Sequence, residues 1–407
     1  MPLRTVLVTG LGGAGRTTVA AATALAATRR GERTLLLTPE PAAGPLGPLG
    51  PGPGEPARVT DGLWAARIDG AAHFRAEFLG LQQRSAAALD LLGAEPLRGE
   101  ELTELPGSDR FALLHALRTA AAGGWDVLVV DLPPLPDAIA ALTLPRELRR
   151  YLRRLLPAER QAARALRPVL AQLAGVPVPS RALYEAAARK DTELAAAQLL
   201  IEDPATTLTL VAEPGPTAEE ALRAARTGLA LHGLRADTLV ANKVLPPADG
   251  HPWLEAAAAR QRKSLDAWRG DPGAWPAGSV HELPHLGREP DARDDLAALG
   301  VPPPKDVQGG TAAGRPPAAP WWVEDLRAED GLLVWCLPLP GAAKSDLTLV
   351  RRGDELLLTV GPFRRIVPLS SALRRCTVAG AALTGGVLRV RFAPDPALWP
   401  KGGPTGP

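Results

Sequence analysis

The chain has 407 residues, of which 46% are hydrophobic, and its formal charge is only +2. That length exceeds one ordinary domain, and the near-neutral balance excludes the broad basic field of a nucleic-acid-binding protein. No stretch approaches the ~20 uninterrupted apolar residues of a membrane helix.

The first apolar run is strand-length and passes at once into glycines, so no secretory leader is expected. The only cysteines, Cys336 and Cys376, lie far from any metal-ligand spacing. A cytoplasmic protein without zinc is the expectation. Arginine far outnumbers lysine, which occurs only at Lys190, Lys243, Lys263, Lys305, Lys344 and Lys401.

In chain order, Arg4–Thr9 reads as a buried strand, followed by a glycine-rich turn and a helix from about Thr17 to Arg30. Gly31 ends that helix, and Thr34–Thr38 is a second strand. Strand, turn, helix and strand form a βαβ unit, which implies a parallel sheet with a right-handed crossover. Pro39 to Pro56, rich in Pro and Gly, reads as a mobile loop. Helical spacing returns over Ala71–Leu92 and Asp109–Ala122, and Trp125–Asp131 is an apolar strand that ends in a carboxylate.

Arg146–Leu156 and Ala158–Leu173 alternate arginine and leucine at helical period, the core of a helical insertion over about 146–200. Their apolar faces pack on their own domain or meet a partner helix. Thr207–Ala212 and Asp237–Asn242 are further strands, separated by a helix beginning near Thr217. The alternation predicts an α/β fold over 1–300 with a doubly wound, mostly parallel sheet.

Residues 301–320 are a Pro/Gly/Ala linker. Beyond it the period switches to two, over Leu332–Pro338, Asp346–Val350, Glu355–Val360, Arg364–Leu369, Arg374–Val378 and Val387–Phe392. This predicts an antiparallel β-sandwich over 321–400, with 401–407 as a tail.

Between the first strand and first helix stands Gly10-Leu-Gly-Gly-Ala-Gly-Arg-Thr-Thr18. Glycines here let successive amides converge on an anion at the helix start. On that reading Gly10, Gly12, Gly13, Ala14, Gly15, Arg16, Thr17 and Thr18 hold phosphate, and the Thr17 hydroxyl is placed to ligate Mg2+. The same turn alone also fits a dinucleotide loop or a plain tight turn.

The loop resembles the deviant phosphate loop of the ArsA, guided-entry and MinD/ParA ATPases, which reads G-K-G-G-V-G-K-T-T. Leu11 stands at its first lysine and Arg16 at its second. In that family the first lysine reaches across a dimer interface to charge developing on the γ-phosphate, which leucine cannot do. A guanidinium is also planar and wider than the ammonium it replaces. The family's first switch, D-P-A-H-S-L, is matched by Glu40-Pro-Ala-Ala-Gly-Pro-Leu46, so the resemblance puts Glu40 where an aspartate orients water.

Its second switch is matched by Asp131-Leu-Pro-Pro-Leu-Pro-Asp-Ala-Ile-Ala-Ala-Leu-Thr-Leu-Pro145, which lacks the Thr-Gly-His centre. Asp131 then contacts Mg2+ or water, or else merely caps its strand. Glu220-Ala-Leu-Arg223 resembles E-A-x-R. Val240-Ala-Asn-Lys-Val-Leu-Pro246 resembles V-x-N-R-V-x-P, which implies that Asn242 reads the adenine edge unless it is only a turn former. His281-Glu-Leu-Pro-His285 spells a zinc-protease motif, but Pro284 breaks the helix such chemistry requires.

Ala379–Phe392 resembles the A-x-x-x-x-G-V-L-x-V-x-L segment of α-crystallin domains, known as an appendage of ArsA-like ATPases. The joint resemblance implies ATP/ADP and Mg2+ as cofactors. It also implies a homodimer, or a heterodimer with a paralogue, acting on a protein client or membrane partner. Two functions remain open: a slow ATP-dependent dimeric switch, and a pseudo-ATPase scaffold that holds nucleotide without turnover.

Overall fold

A computed structural model describes residues 3–41, 44–156, 181–247, 250–271, 275, 278–304 and 320–399. The helix expected over Ala158–Leu173, most of the linker and the 401–407 tail lie outside them. The chain divides into two compact units, Met1–Val211 with Leu283–Gly310, and Ala212–Glu282 with Thr311–Pro407.

Strands Arg4–Gly10 (β1), Thr34–Thr38 (β2) and Val127–Asp131 (β5) are buried at every position. They pair in parallel, β1 with β5 and β2 with β5. Continuous apolar runs give such strands because helices cover both faces of a parallel sheet. Between them in sequence come Ala57–Thr60 (β3) and Leu63–Arg67 (β4), which add an edge beyond β2, with β3 antiparallel to β4.

With Thr206–Ala212 (β6), Thr238–Val244 (β7) and Val280–Pro284 (β8), the sheet has eight strands in the order β3-β4-β2-β5-β1-β6-β7-β8. The expected α/β fold with a mostly parallel sheet is the fold observed. The Pro39–Pro56 loop differs from its reading as a mobile segment. Leu46 is buried, and Gly50 bridges to Ala66 of β4, so the part of the loop around these two residues lies against the sheet.

Helix Arg16–Thr28 (α1) follows β1 and buries an alanine-rich face of Val19, Ala20, Ala21, Ala24 and Ala27. Gly70–Arg84 (α2) and Ala86–Leu92 (α3) divide the expected Ala71–Leu92 helix at Ser85. Ser108–Ala121 (α4), Asp137–Leu155 (α5) and Arg181–Glu202 (α6) complete the helical layer of the first unit. Arg149 clamps α5 to α6 through Asp191 at 3.0 Å and Gln198 at 2.9 Å.

In the second unit, Pro216–His232 (α7) has proline in its first turn and stops at Gly233, whose φ of 75° suits only glycine without strain. Pro252–Arg269 (α8) leads to β8, which holds His281 and Glu282 in extended chain. The zinc-protease spelling is therefore on a strand. Arg293–Ala298 (α9) belongs to the first unit and packs on α1.

The C-terminal residues form two antiparallel sheets. One is Cys376–Thr384 (β14), Val387–Pro394 (β15), Leu332–Pro338 (β10) and Trp322–Leu326 (β9), in the order β14-β15-β10-β9. The other is Leu347–Arg352 (β11), Glu355–Val360 (β12) and Phe363–Pro368 (β13). Alternate residues of β12 and β13 turn inward, and Trp335 and Phe392 lie fully inside, as a sandwich core requires.

This sandwich shares its unit with α7. The Phe363 ring lies over Gly228, where an added Cβ would stand 2.6 Å from ring carbon. Thr227 Oγ1 donates to the Pro340 carbonyl at 2.6 Å, and Arg365 donates to the Leu231 carbonyl at 2.5 Å.

Candidate functional site

The connection from β1 leads to β2 on one side, whereas the chain leaving β5 reaches β6 on the other. Ligands of open α/β sheets bind at such a reversal, beyond the carboxyl ends of the strands. Gly10 closes β1 there and Asp131 closes β5.

Gly10 packs so tightly on β6 that a Cβ would fall 2.0 Å from the Val211 carbonyl oxygen. Leu11 N–H donates to that carbonyl at 3.0 Å, which aims the turn away from the sheet. Gly12 and Gly13 are exposed, with open space where their Cβ atoms would be. Ala14 is buried, and its N–H returns to the Leu11 carbonyl at 3.2 Å.

Gly15, at φ 87°, caps α1 from the left-handed region, and no side chain caps the helix. No acidic residue lies in its first turn either. The amides and partial positive charge of this helix start are thus directed at the turn rather than at a carboxylate of the chain.

Arg16, Thr17 and Thr18 open α1. Thr17 Oγ1 donates to Asp131 Oδ2 at 2.7 Å, and Thr38 Oγ1 donates to the same oxygen at 2.9 Å. Asp131 is 1% exposed, and its Oδ1 accepts no hydrogen bond. Burial pushes its carboxyl above the usual 3.8. The Thr17 and Thr38 hydroxyls and the Arg16 charge pull it down, and Glu40 adds a further push upward. Arg16 donates to the Leu132 carbonyl, with a guanidinium nitrogen 4.0 Å from Asp131 Oδ1.

Glu40 is exposed beyond β2, and its N–H donates to Thr38 Oγ1 at 3.2 Å. The loop, Thr17, Asp131 and Glu40 therefore gather at one end of the sheet. Thr38 joins them although the sequence pattern did not single it out; a threonine closing an apolar strand carries no distinguishing signal.

Asn242 lies in the second unit, buried on β7. Directly after it Lys243 adopts φ 58°, a left-handed conformation that costs a non-glycine residue on the order of 1 kcal/mol or more. Gln261 brackets this kink, donating to the Lys243 carbonyl at 3.1 Å and accepting from Leu245 N–H at 2.8 Å. No motif marked Gln261.

The residues gathered at this end of the sheet fit the expected cofactors as follows. An uncapped helix start suits phosphate, and a hydroxyl beside a carboxylate suits Mg2+, against the opposing charge of the Arg16 guanidinium 4.0 Å from Asp131 Oδ1. Among the described residues no group of three or more His, Cys, Asp or Glu could hold a metal ion. Cys336 and Cys376 are buried thiols, and burial pushes Cys336 up to about 11. No described helix is long and apolar enough to cross a membrane.

A cavity of about 250 Å³ lies in the helical layer, lined by His73, Phe74, Phe111, His115, Arg118 and Glu193 among others. The two imidazoles face each other with centroids 4.8 Å apart. Burial is the first cause that lowers both from 6.5. His73 is lowered further by His115, and His115 by Arg118, while Glu77 opposes both shifts.

The folded state thus resists protons that the unfolded chain accepts, so the pair's contribution to stability is present above pH 6.5 and lost as pH falls below it. His73→Gln with His115→Gln should flatten the fall of melting temperature between pH 7.5 and 5.5. Parallel curves for parent and double variant would show that the pair contributes nothing.

Residues 3–271 match the anion-transporting ATPase family, and residues 330–392 match the HSP20-like domain found in ArsA. The chain is 58% identical to an uncharacterised protein of Streptomyces coelicolor, over 98% of this chain and 100% of that one. It is 31% identical to a protein of Mycobacterium tuberculosis, over 98% of this chain and 97% of the other. A protein of Aquifex aeolicus, provisionally named arsenical pump-driving ATPase 1, is 24% identical over 91% of this chain and 95% of its own.

Proposed function

The chain belongs to the anion-transporting ATPase family, with an HSP20-like domain at its C-terminal end, and from that membership we propose that it is an ATP-dependent dimeric switch with slow hydrolysis. The family implies nucleotide binding. The finer statements, namely ATP or ADP with Mg2+, a homodimer or a pairing with a paralogue, and a surface for a protein client or membrane partner, are our reading. So is the boundary near residue 300 between an ATPase domain and the sandwich.

The observation that carries this reading is the Thr17–Asp131 pair at the head of an uncapped helix. Residues 10–18 would wrap the phosphates through their amides, and Asn242 would hold the base. Thr17 and Asp131 would hold Mg2+, which supplies positive charge against the phosphate oxygens when bound. Asp131 and Glu40 are the acceptors available to orient water. Glu40 is exposed and one methylene longer than the family's aspartate, a displacement that slows such a step.

The pseudo-ATPase reading is favoured by two residues. Leu11 brings no charge, and Arg16 is engaged with the Leu132 carbonyl. In both readings a nucleotide that binds only the folded chain stabilises it, by ~2.7 kcal/mol at a hundredfold excess over its dissociation constant. ATP and ADP should therefore raise the melting temperature, and Asn242→Ala should shrink the rise. No rise with any nucleotide would end both readings.

A further inference from the structure

The carboxylate of Asp131 is solvated unequally. Its Oδ2 receives two hydroxyl donors, whereas Oδ1 is buried and receives none. The nearest cation to Oδ1 is the Arg16 guanidinium, 4.0 Å away and only 16% exposed. Arg16 is held there by a hydrogen bond to the carbonyl of Leu132, the residue after Asp131. A buried charge without a counter-charge is costly, so the chain supplies this one from within.

From this arrangement we infer that Arg16 is the resident counter-ion of Asp131, and that nucleotide binds this site with little help from magnesium. The inference rests on the nucleotide-binding reading above. A divalent cation strengthens binding when it neutralises the phosphates and a protein carboxylate together. Here part of the carboxylate's charge is already offset by a group that stays charged at every accessible pH. A metal entering beside Asp131 would also meet the repulsion of that guanidinium.

The helix start and the loop amides attract phosphate whether or not a metal is present. A lysine at position 16 would end in one compact ammonium. The forked guanidinium can instead keep its carbonyl contact and its position beside the carboxylate at the same time. Arg16 is thus a positioning residue, one that acts on the nucleotide through Asp131.

The test is calorimetric titration of the full chain with ATP and with ADP, in excess Mg2+ and in excess EDTA. The parent should lose less than about threefold in affinity when the metal is removed. Arg16→Gln, neutral and nearly as long, should bind at least about tenfold more weakly in EDTA than with Mg2+. Circular dichroism checks that the variant is folded, and if it is not, the comparison within the parent decides.

A larger loss by the parent in EDTA overturns the inference and leaves the functional reading standing. So does an Arg16→Gln variant weakened equally in both buffers, since Arg16 would then be an ordinary phosphate ligand. No binding by the parent in either buffer removes the functional reading itself.

Discussion

Gly10→Ala is expected to lower the unfolding free energy by about 3 kcal/mol or more, at the upper end of what overpacking costs. The added methyl would lie 2.0 Å from the Val211 oxygen and within 3 Å of the Val211 nitrogen and carbonyl carbon. All three are backbone atoms of Val211, which is in register with Gly10 and accepts from Leu11 N–H through that same oxygen. No side-chain rotation relieves the clash, so β1 and β6 must separate or the turn must shift. Gly12→Ala is the control, because its Cβ would meet nothing within 4 Å. Urea unfolding that finds both variants within 1 kcal/mol of the parent would refute the close approach at Gly10.

Asp131→Asn should separate stability from function. The raised carboxyl pKa means that the folded state prefers the neutral form. Its contribution is therefore fully present below the ordinary 3.8 and lost as pH rises through the higher folded value. At neutral pH the ionised carboxylate is a standing cost in the absence of ligand. An amide keeps an acceptor for the Thr17 and Thr38 hydroxyls without that charge, so the variant should melt no lower than the parent.

Its phosphate release from ATP should fall about a hundredfold, the lower range for loss of a positioned proton acceptor. A variant that melts well below the parent would show that the Arg16 pairing outweighs burial. Unchanged phosphate release would take Asp131 out of the chemistry.

Much of this arrangement is written in short apolar runs. Thr34–Thr38 and Leu332–Pro338 read as strands from their residues alone, and both have those bounds in the structure. Strands β3, β4, β8 and β9 are not legible in the sequence. Alanine and arginine in Leu63–Arg67, and four exposed or acidic positions in Trp322–Leu326, mask a pairing that only neighbouring strands create.

At the site, the motif identified residue types and their order along the chain. The family resemblance put Thr17 and Asp131 on one metal, and in the structure the two side chains are hydrogen-bonded. It could not tell that the Arg16 guanidinium runs to the Leu132 carbonyl, which depends on the path of the chain after β5. Nor could it find Gln261, whose role arises only because Lys243 turns into the left-handed region.

Helix α7 has a consequence for anyone who divides this protein. Its Gly228 is bare so that an aromatic ring can rest on it, and the Leu231 carbonyl is satisfied by an arginine more than a hundred positions later. Cutting the chain at the linker would strip that helix of its cover, leaving a greasy, under-bonded stripe in water. A shortened version ending near residue 300 should therefore clump on expression. The two halves are better cloned as one piece.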